Sequence, residues 1–248
     1  MKKIKYSLGL LLVLCIDLAV YGYDVVMPSK ELVPDMSKTI QTLVVINPDD
    51  AMLALTLTPK RRKQGKDLVE IREETSDVLL IPDKILLRPF EKQTVHIKWM
   101  NGSVEEEQAY RILINELLIP SPSKALESSL KTKTQFVKSL YVIPKGAKPD
   151  VSLLSVKSKQ VNKRQMLEIA IKNKGTKHQV VRNLLLKNND KTYVVNVYGA
   201  NNKETKVNLF PGRHYVFNAP LPDSATVGND QWSLVDINDT SMIESYTY

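Results

Sequence analysis

Cysteine and histidine are almost absent from this sequence of 248 residues, which has one cysteine, Cys15, and three histidines. A single cysteine cannot form a disulfide within the chain, nor a zinc site built from cysteines. His96, His178 and His214 are far apart in sequence, and no H-E-x-x-H motif places two of them on one helix face. The sequence therefore predicts no metal centre and no cofactor.

Glycine is scarce as well, with nine residues, and there is neither a glycine-rich phosphate loop nor a G-x-S-x-G turn. The S-x-x-K pattern of penicillin-binding proteins occurs at residues 121–124 and 128–131, but its partner motifs S-D-N and K-T-G are missing. We interpret both occurrences as chance, and the acidic residues 105–107 as a solvated turn. The sequence predicts a protein that is not an enzyme and has no small-molecule substrate.

The first 22 residues have the three parts of a secretory signal. A positive head of three lysines precedes an apolar run over residues 8–16, and a plausible cleavage site follows at residues 20–22. An uncleaved membrane anchor is the alternative, but Asp17 interrupts a stretch that is already too short to span a bilayer. Cys15 lies inside the apolar run rather than at the cleavage site, which argues against a lipoprotein.

Export changes the charge and the possible partners. Removing residues 1–22 takes away three lysines, one aspartate and the cysteine, so the net charge falls from +8 to +6. An exported chain is a poor partner for nucleic acid. The densest basic run, residues 60–63, has no interleaved aromatic side chains to stack on bases. We expect a solvated loop there, or alternatively a patch for anionic lipid or an acidic partner.

The apolar pattern is typical of an all-β protein. Short stretches rich in Val, Ile, Leu and Tyr alternate with turn sequences, and their period is closer to two than to 3.6. Residues 144–150 contain two prolines and a glycine, which suits a short, stiff linker. We therefore expect two immunoglobulin-like sandwiches, over residues 23–143 and 144–248. The polar residues 121–134 are interpreted as a mobile loop that leads into a strand.

Several motifs in this order resemble the periplasmic pilus chaperones of the chaperone–usher pathway, the PapD-like family. They are M-P-S-K-E-L at residues 27–32, L-V-V-I-N-P at 43–48, L-L-I-P at 79–82, L-L-R-P at 86–89, the strand and proline at 110–120, the strand and turn at 167–175, and L-F-P-G at 209–212. The resemblance covers nearly the whole exported chain. It implies two immunoglobulin-like β-sandwiches arranged as a boomerang.

The resemblance also implies a function and a site. Chaperones of this family bind incomplete pilus subunits in the periplasm by lending them a β-strand, and pass them to an outer-membrane usher. By position, Lys30 and Lys138 match the basic pair that anchors the carboxylate of the subunit, although each also fits an ordinary surface charge. Leu130 and Phe136 lie on one face of the lending strand and would pack against the subunit.

The sequence departs from the family pattern at several positions. Thr132 and Thr134 stand between Leu130 and Phe136, where large apolar side chains are usual, and Phe90 stands where the family has a turn glycine. The alternative hypothesis is therefore a secreted adhesion or structural module that keeps the two sandwiches and does not lend a strand.

Overall fold

The computed structural model describes residues 22–34, 40–65, 68–119, 134–161, 163–199, 203–223, 225 and 232–237. Residues 1–21 of the predicted signal and the predicted packing residue Leu130 lie outside these ranges. Within the ranges, no helix has the length and apolar character needed to cross a membrane. The described chain consists almost wholly of β-strands joined by turns.

Within the described ranges, ten strands build the first sandwich. They are β1 (Asp24–Val26), β2 (Glu31–Leu32), β3 (Ile40–Ile46), β4 (Leu53–Gln64), β5 (Glu70–Glu74), β6 (Val78–Ile81), β7 (Lys84–Leu87), β8 (Lys92–Trp99), β9 (Gln108–Leu117) and β10 (Gln135–Val142). One sheet has the order β1-β3-β8-β6. The other has the order β2-β10-β9-β4-β5, with β7 also paired to β4.

The alternation of side chains places the core of this sandwich between the two sheets. In β8, Val95 and Ile97 are fully buried while the intervening His96 is exposed. In β9, Tyr110, Ile112 and Ile114 are fully buried in the same alternating manner. This is the pattern of antiparallel strands with one face on a core and one face toward solvent.

Eight strands follow among the described residues of the second half. They are β11 (Val151–Val161), β12 (Arg164–Asn173), β13 (Gln179–Val181), β14 (Asn183–Asn188), β15 (Lys191–Asn196), β16 (Val207–Leu209), β17 (His214–Pro220) and β18 (Trp232–Ile237). They form the sheets β11-β12-β17 and β15-β14-β18 and the pair β13-β16. A second, separate core contains Leu167, Ile169 and Ile171 from β12, with Leu184 and Leu186 from β14. The prediction of two all-β sandwiches is confirmed, whereas the domain limit at residue 143 stays a prediction.

The predicted linker packs against a turn of the second sandwich. Asn173 is fully buried, and its side-chain oxygen accepts hydrogen bonds from the N–H groups of Asp150, at 3.1 Å, and Gly175, at 2.9 Å. A Cβ atom at Gly175 would lie 2.4 Å from the carbonyl oxygen of Lys148. Only glycine fits this close approach of two backbones, so the linker is held in place.

The basic residues 60–63 do not form the loop that the sequence predicts. They are the end of β4, and they pair with the acidic strand β5. Lys60 forms an ion pair with Glu74, and Lys63 with Glu73 at 2.6 Å. Lys60 and Glu74 are directly opposite in the register, whereas Lys63 and Glu73 are diagonal neighbours, and opposite charges in both positions stabilise a strand pair. The prediction was wrong because the pairing partner, itself too acidic to look like a strand, was not recognised.

Phe90 has a left-handed backbone, with φ of 59°, and the residue is 72% exposed. The position therefore has the backbone conformation that suits glycine. We expect Phe90→Gly to raise the free energy of unfolding by about 0.5–1 kcal/mol, because the side-chain clash of the left-handed conformation is removed. Urea denaturation measures this. Phe90→Ala keeps the clash and should give no such gain; an equal gain would attribute the effect to the exposed ring instead.

Candidate functional site

Strand β10 has one covered edge and one largely open edge. It pairs with β9 along its whole length, from Gln135 to Val142. On its other side it pairs with the two-residue strand β2, in parallel, at Tyr141 and Val142 only. No other strand in the described part of the chain pairs with the outer edge over residues 135–140.

The backbone groups on this edge follow from the hydrogen bonds at its closed end. The N–H groups of Tyr141 and Ile143 point outward and donate to the carbonyl oxygens of Lys30, at 2.7 Å, and Leu32, at 2.8 Å. Because backbone groups alternate along a strand, the N–H and C=O groups of Val137 and Ser139 face the same side. The open edge can therefore take up another strand, as unpaired strand edges do.

The two predicted anchor lysines lie on neighbouring segments at this edge. Lys30 is exposed and immediately precedes β2, and the parallel register places it opposite Leu140. Lys138 is half-buried in β10, with its Nζ 5.8 Å from the centroid of the Phe136 ring. Strand spacing and rise then put the two lysine Cα atoms about 8 Å apart. Their anchoring role stays a prediction.

Phe136 lies at the rim of the first core. Its ring packs edge-on against Tyr23, with 4.8 Å between the ring centroids, and the Tyr23 hydroxyl donates to the carbonyl oxygen of Ile114 at 2.8 Å. In the free chain the phenyl group is thus a partly buried member of its own sandwich. Its packing against a subunit stays a prediction, as does that of Leu130.

Three arginines surround one glutamate on the outer face of the same sheet. Arg62 Nε lies 2.7 Å from the Glu70 carboxylate, Arg72 Nε donates to it at 2.6 Å, and Arg111 Nε donates to both oxygens at 3.1 Å. Burial raises the pKa of Glu70, but the hydrogen bonds from Arg111 and Arg72 and the nearby charges of Arg111 and Arg62 outweigh it and lower the pKa to about 2. We call these four side chains the arginine cluster. Sequence reasoning missed it, although the basic run in β4 was a signal.

Solved structures share this architecture. A chain of the CsuC–CsuE chaperone–tip adhesion subunit complex, from the archaic chaperone–usher Csu pili of Acinetobacter baumannii, is 15% identical with a TM-score of 0.55 over 86% of this chain and 97% of its own. CfaA, a class 5 fimbriae chaperone, is 12% identical with a TM-score of 0.58 over 86% and 98%. The chain has the fold of the pilus chaperones. No model of a known protein family and no curated protein sequence matches it.

In this pilus-chaperone fold the two sandwiches meet at a polar contact. The side chain of Glu107 is 1% exposed. Its carboxylate accepts a hydrogen bond from the backbone N–H of His178 at 3.1 Å and lies 2.6 Å from Nδ1 of the His178 ring. The imidazole stacks on Tyr141 of β10, with 4.3 Å between the ring centroids. The expectation of a solvated turn was wrong for Glu107, because its partner lies 71 residues away in sequence.

Tyr141 joins the open edge to this junction. Its hydroxyl accepts hydrogen bonds from Asn208 Nδ2 at 3.1 Å and from Arg62 Nη1 at 3.3 Å. The guanidinium of Arg62 also lies over the ring of Phe210, 4.8 Å from its centroid. Three or more His, Cys, Asp or Glu side chains do not come together as a metal site anywhere in the described ranges.

Proposed function

We propose that this protein is a periplasmic, non-enzymatic chaperone that binds incomplete pilus or fimbrial subunits by β-strand addition before they reach an outer-membrane usher. The observation that carries the proposal is the open edge of β10 over residues 135–140, in a chain with the fold of the pilus chaperones. The export signal expected at residues 1–22 supports the compartment.

Strand addition would satisfy unpaired backbone groups on both proteins. A sandwich that lacks a strand exposes unpaired backbone groups and an apolar groove, and both favour aggregation. A strand supplied by β10 satisfies the backbone groups of the subunit and its own outward groups at Val137 and Ser139 in one step. The pair is thus more stable than either open edge alone.

Lys30 and Lys138 supply positive charge beside this edge, and we expect them to hold a carboxylate of the subunit through charge-assisted hydrogen bonds. The double variant Lys30→Glu and Lys138→Glu should therefore lower the amount of soluble subunit at least about tenfold. Co-expression with a pilin-like subunit and quantification of both proteins in the periplasm measures this.

A matched control makes the same change in net charge on the other sheet of the first sandwich. Lys92→Glu combined with Lys98→Glu reverses two exposed lysines of β8, and we expect it to leave the subunit at its normal level. If the subunit accumulates equally with the Lys30 and Lys138 variant, the lysines do not anchor it.

The position of Phe136 favours a second candidate. The Phe136 ring is packed on Tyr23, so β10 keeps this side chain in the core of its own sandwich. That arrangement suits an adhesion or structural module that does not lend a strand. Purification of a stable one-to-one complex with a subunit would rule this candidate out.

A further inference from the structure

The arginine cluster contains more positive than negative charge. Three guanidinium groups face one carboxylate, which leaves two positive charges, while the side chains of Arg62 and Arg111 are only 11% and 18% exposed. The nearby carboxylates of Glu74 and Asp77 are already paired with Lys60 and Arg61. Partly desolvated positive charge in excess of the nearby negative charge is unfavourable, so a further anion at this place would stabilise the protein.

Arg111 connects the cluster to the open edge. It lies directly opposite Ser139 in the β9–β10 register, and its Nη1 donates a hydrogen bond to the Ser139 hydroxyl. The guanidinium group therefore extends toward β10, and a strand added outside β10 would lie about 4.8 Å beyond Ser139. That distance is within reach of a carboxylate on a side chain of the added strand.

We infer that Arg111, supported by the rest of the arginine cluster, recognises an acidic side chain of the partner strand at the position facing Ser139. The inference rests on the proposed function, since it requires a strand on the edge of β10. It is separate from the predicted lysine anchor, because Lys138 and Ser139 are adjacent in the strand and their side chains leave opposite faces. The ligand class is a carboxylate, the group that the same arginines already hold in Glu70.

The test uses the exported chain and fluorescein-labelled, strand-length peptides of alternating Val and Thr with lysines at the ends for solubility. Two peptides are identical except for Glu or Gln at the position that faces Ser139. We expect the Glu peptide to bind about tenfold more tightly by fluorescence anisotropy, and we expect Arg111→Gln to abolish that preference while the Gln peptide binds as before.

Control variants separate recognition from folding. Arg72→Gln removes a more exposed member of the cluster, with a side chain 41% exposed, and should reduce the same preference if Arg111→Gln fails to fold. Lys63→Gln breaks the ion pair with Glu73 outside the cluster and should leave the preference unchanged. Equal binding of the Glu and Gln peptides to the unaltered chain would overturn the inference and leave strand addition intact. Failure of both peptides to bind would overturn the proposed strand addition itself.

Discussion

A Val137→Pro variant is expected to fold normally and to lose the proposed binding of a pilus subunit. The N–H group of Val137 points to the open edge of β10, so proline there removes a donor to the added strand and none to β9. Proline is tolerated on sheet edges for this reason, and it blocks pairing on the side where its ring lies. We expect the yield of complex in co-purification to fall at least about tenfold, while the melting temperature of the free chain changes little.

Two further variants make this result specific. Val137→Ala shortens the same side chain but keeps the N–H group, and it should retain the subunit. Lys138→Pro removes an N–H group that faces β9, so it should lower the melting temperature of the free chain. If Val137→Pro carries as much subunit as the unaltered chain, the outer edge of β10 is not the binding surface.

The largest loss of stability is expected from Asn173→Ala. The side chain is fully buried; its amide donates to the carbonyl oxygens of Lys177 at 2.8 Å and Leu209 at 3.0 Å, and its oxygen accepts from the N–H groups of Asp150 and Gly175. Alanine leaves these four backbone groups without that partner. At about 1 kcal/mol or more for each, the free energy of unfolding should fall by about 3–5 kcal/mol.

Urea denaturation of the free chain measures this loss. Asn173→Asp keeps the two accepted hydrogen bonds but places a carboxylate oxygen against the carbonyl oxygens of Lys177 and Leu209, so we expect it to have a lower free energy of unfolding than the unaltered chain. Asn173→Ser gives the uncharged comparison, with a shorter side chain that reaches fewer of the four groups. A loss below about 1 kcal/mol for Asn173→Ala would show that water or a shifted backbone replaces the asparagine.

The strands that alternate apolar and polar side chains are predictable from the sequence, and the ones held by charge are not. Val95 and Ile97 flank an exposed His96, and such spacing identifies a half-buried strand without any knowledge of its partner. The strand Glu70–Glu74 has four acidic or basic residues in five, and only the basic end of β4 explains why it is a strand. Residues 70–74 form a strand because they pair with β4, and the local sequence does not reveal that pairing.

The same limit applies to the candidate site. Lys30 and Lys138 could be placed near one strand edge from the sequence, because Lys30 precedes and Lys138 belongs to a segment with recognisable apolar residues. Their anchoring role stays a prediction. The arginine cluster and the contact of Glu107 with His178 join elements far apart in the chain. Charged residues are by default expected to be exposed to solvent, and only the fold shows which of them are buried.

The contacts of Tyr141 fix where β10 can sit. Its neighbours Leu140 and Val142 are fully buried in the first core, whereas its own ring stacks on His178 of the second sandwich. A slip of one residue would turn the phenol into the core and an apolar side chain toward the junction. The junction therefore fixes the register of β10, and with it the positions of the backbone N–H and C=O groups along its open edge.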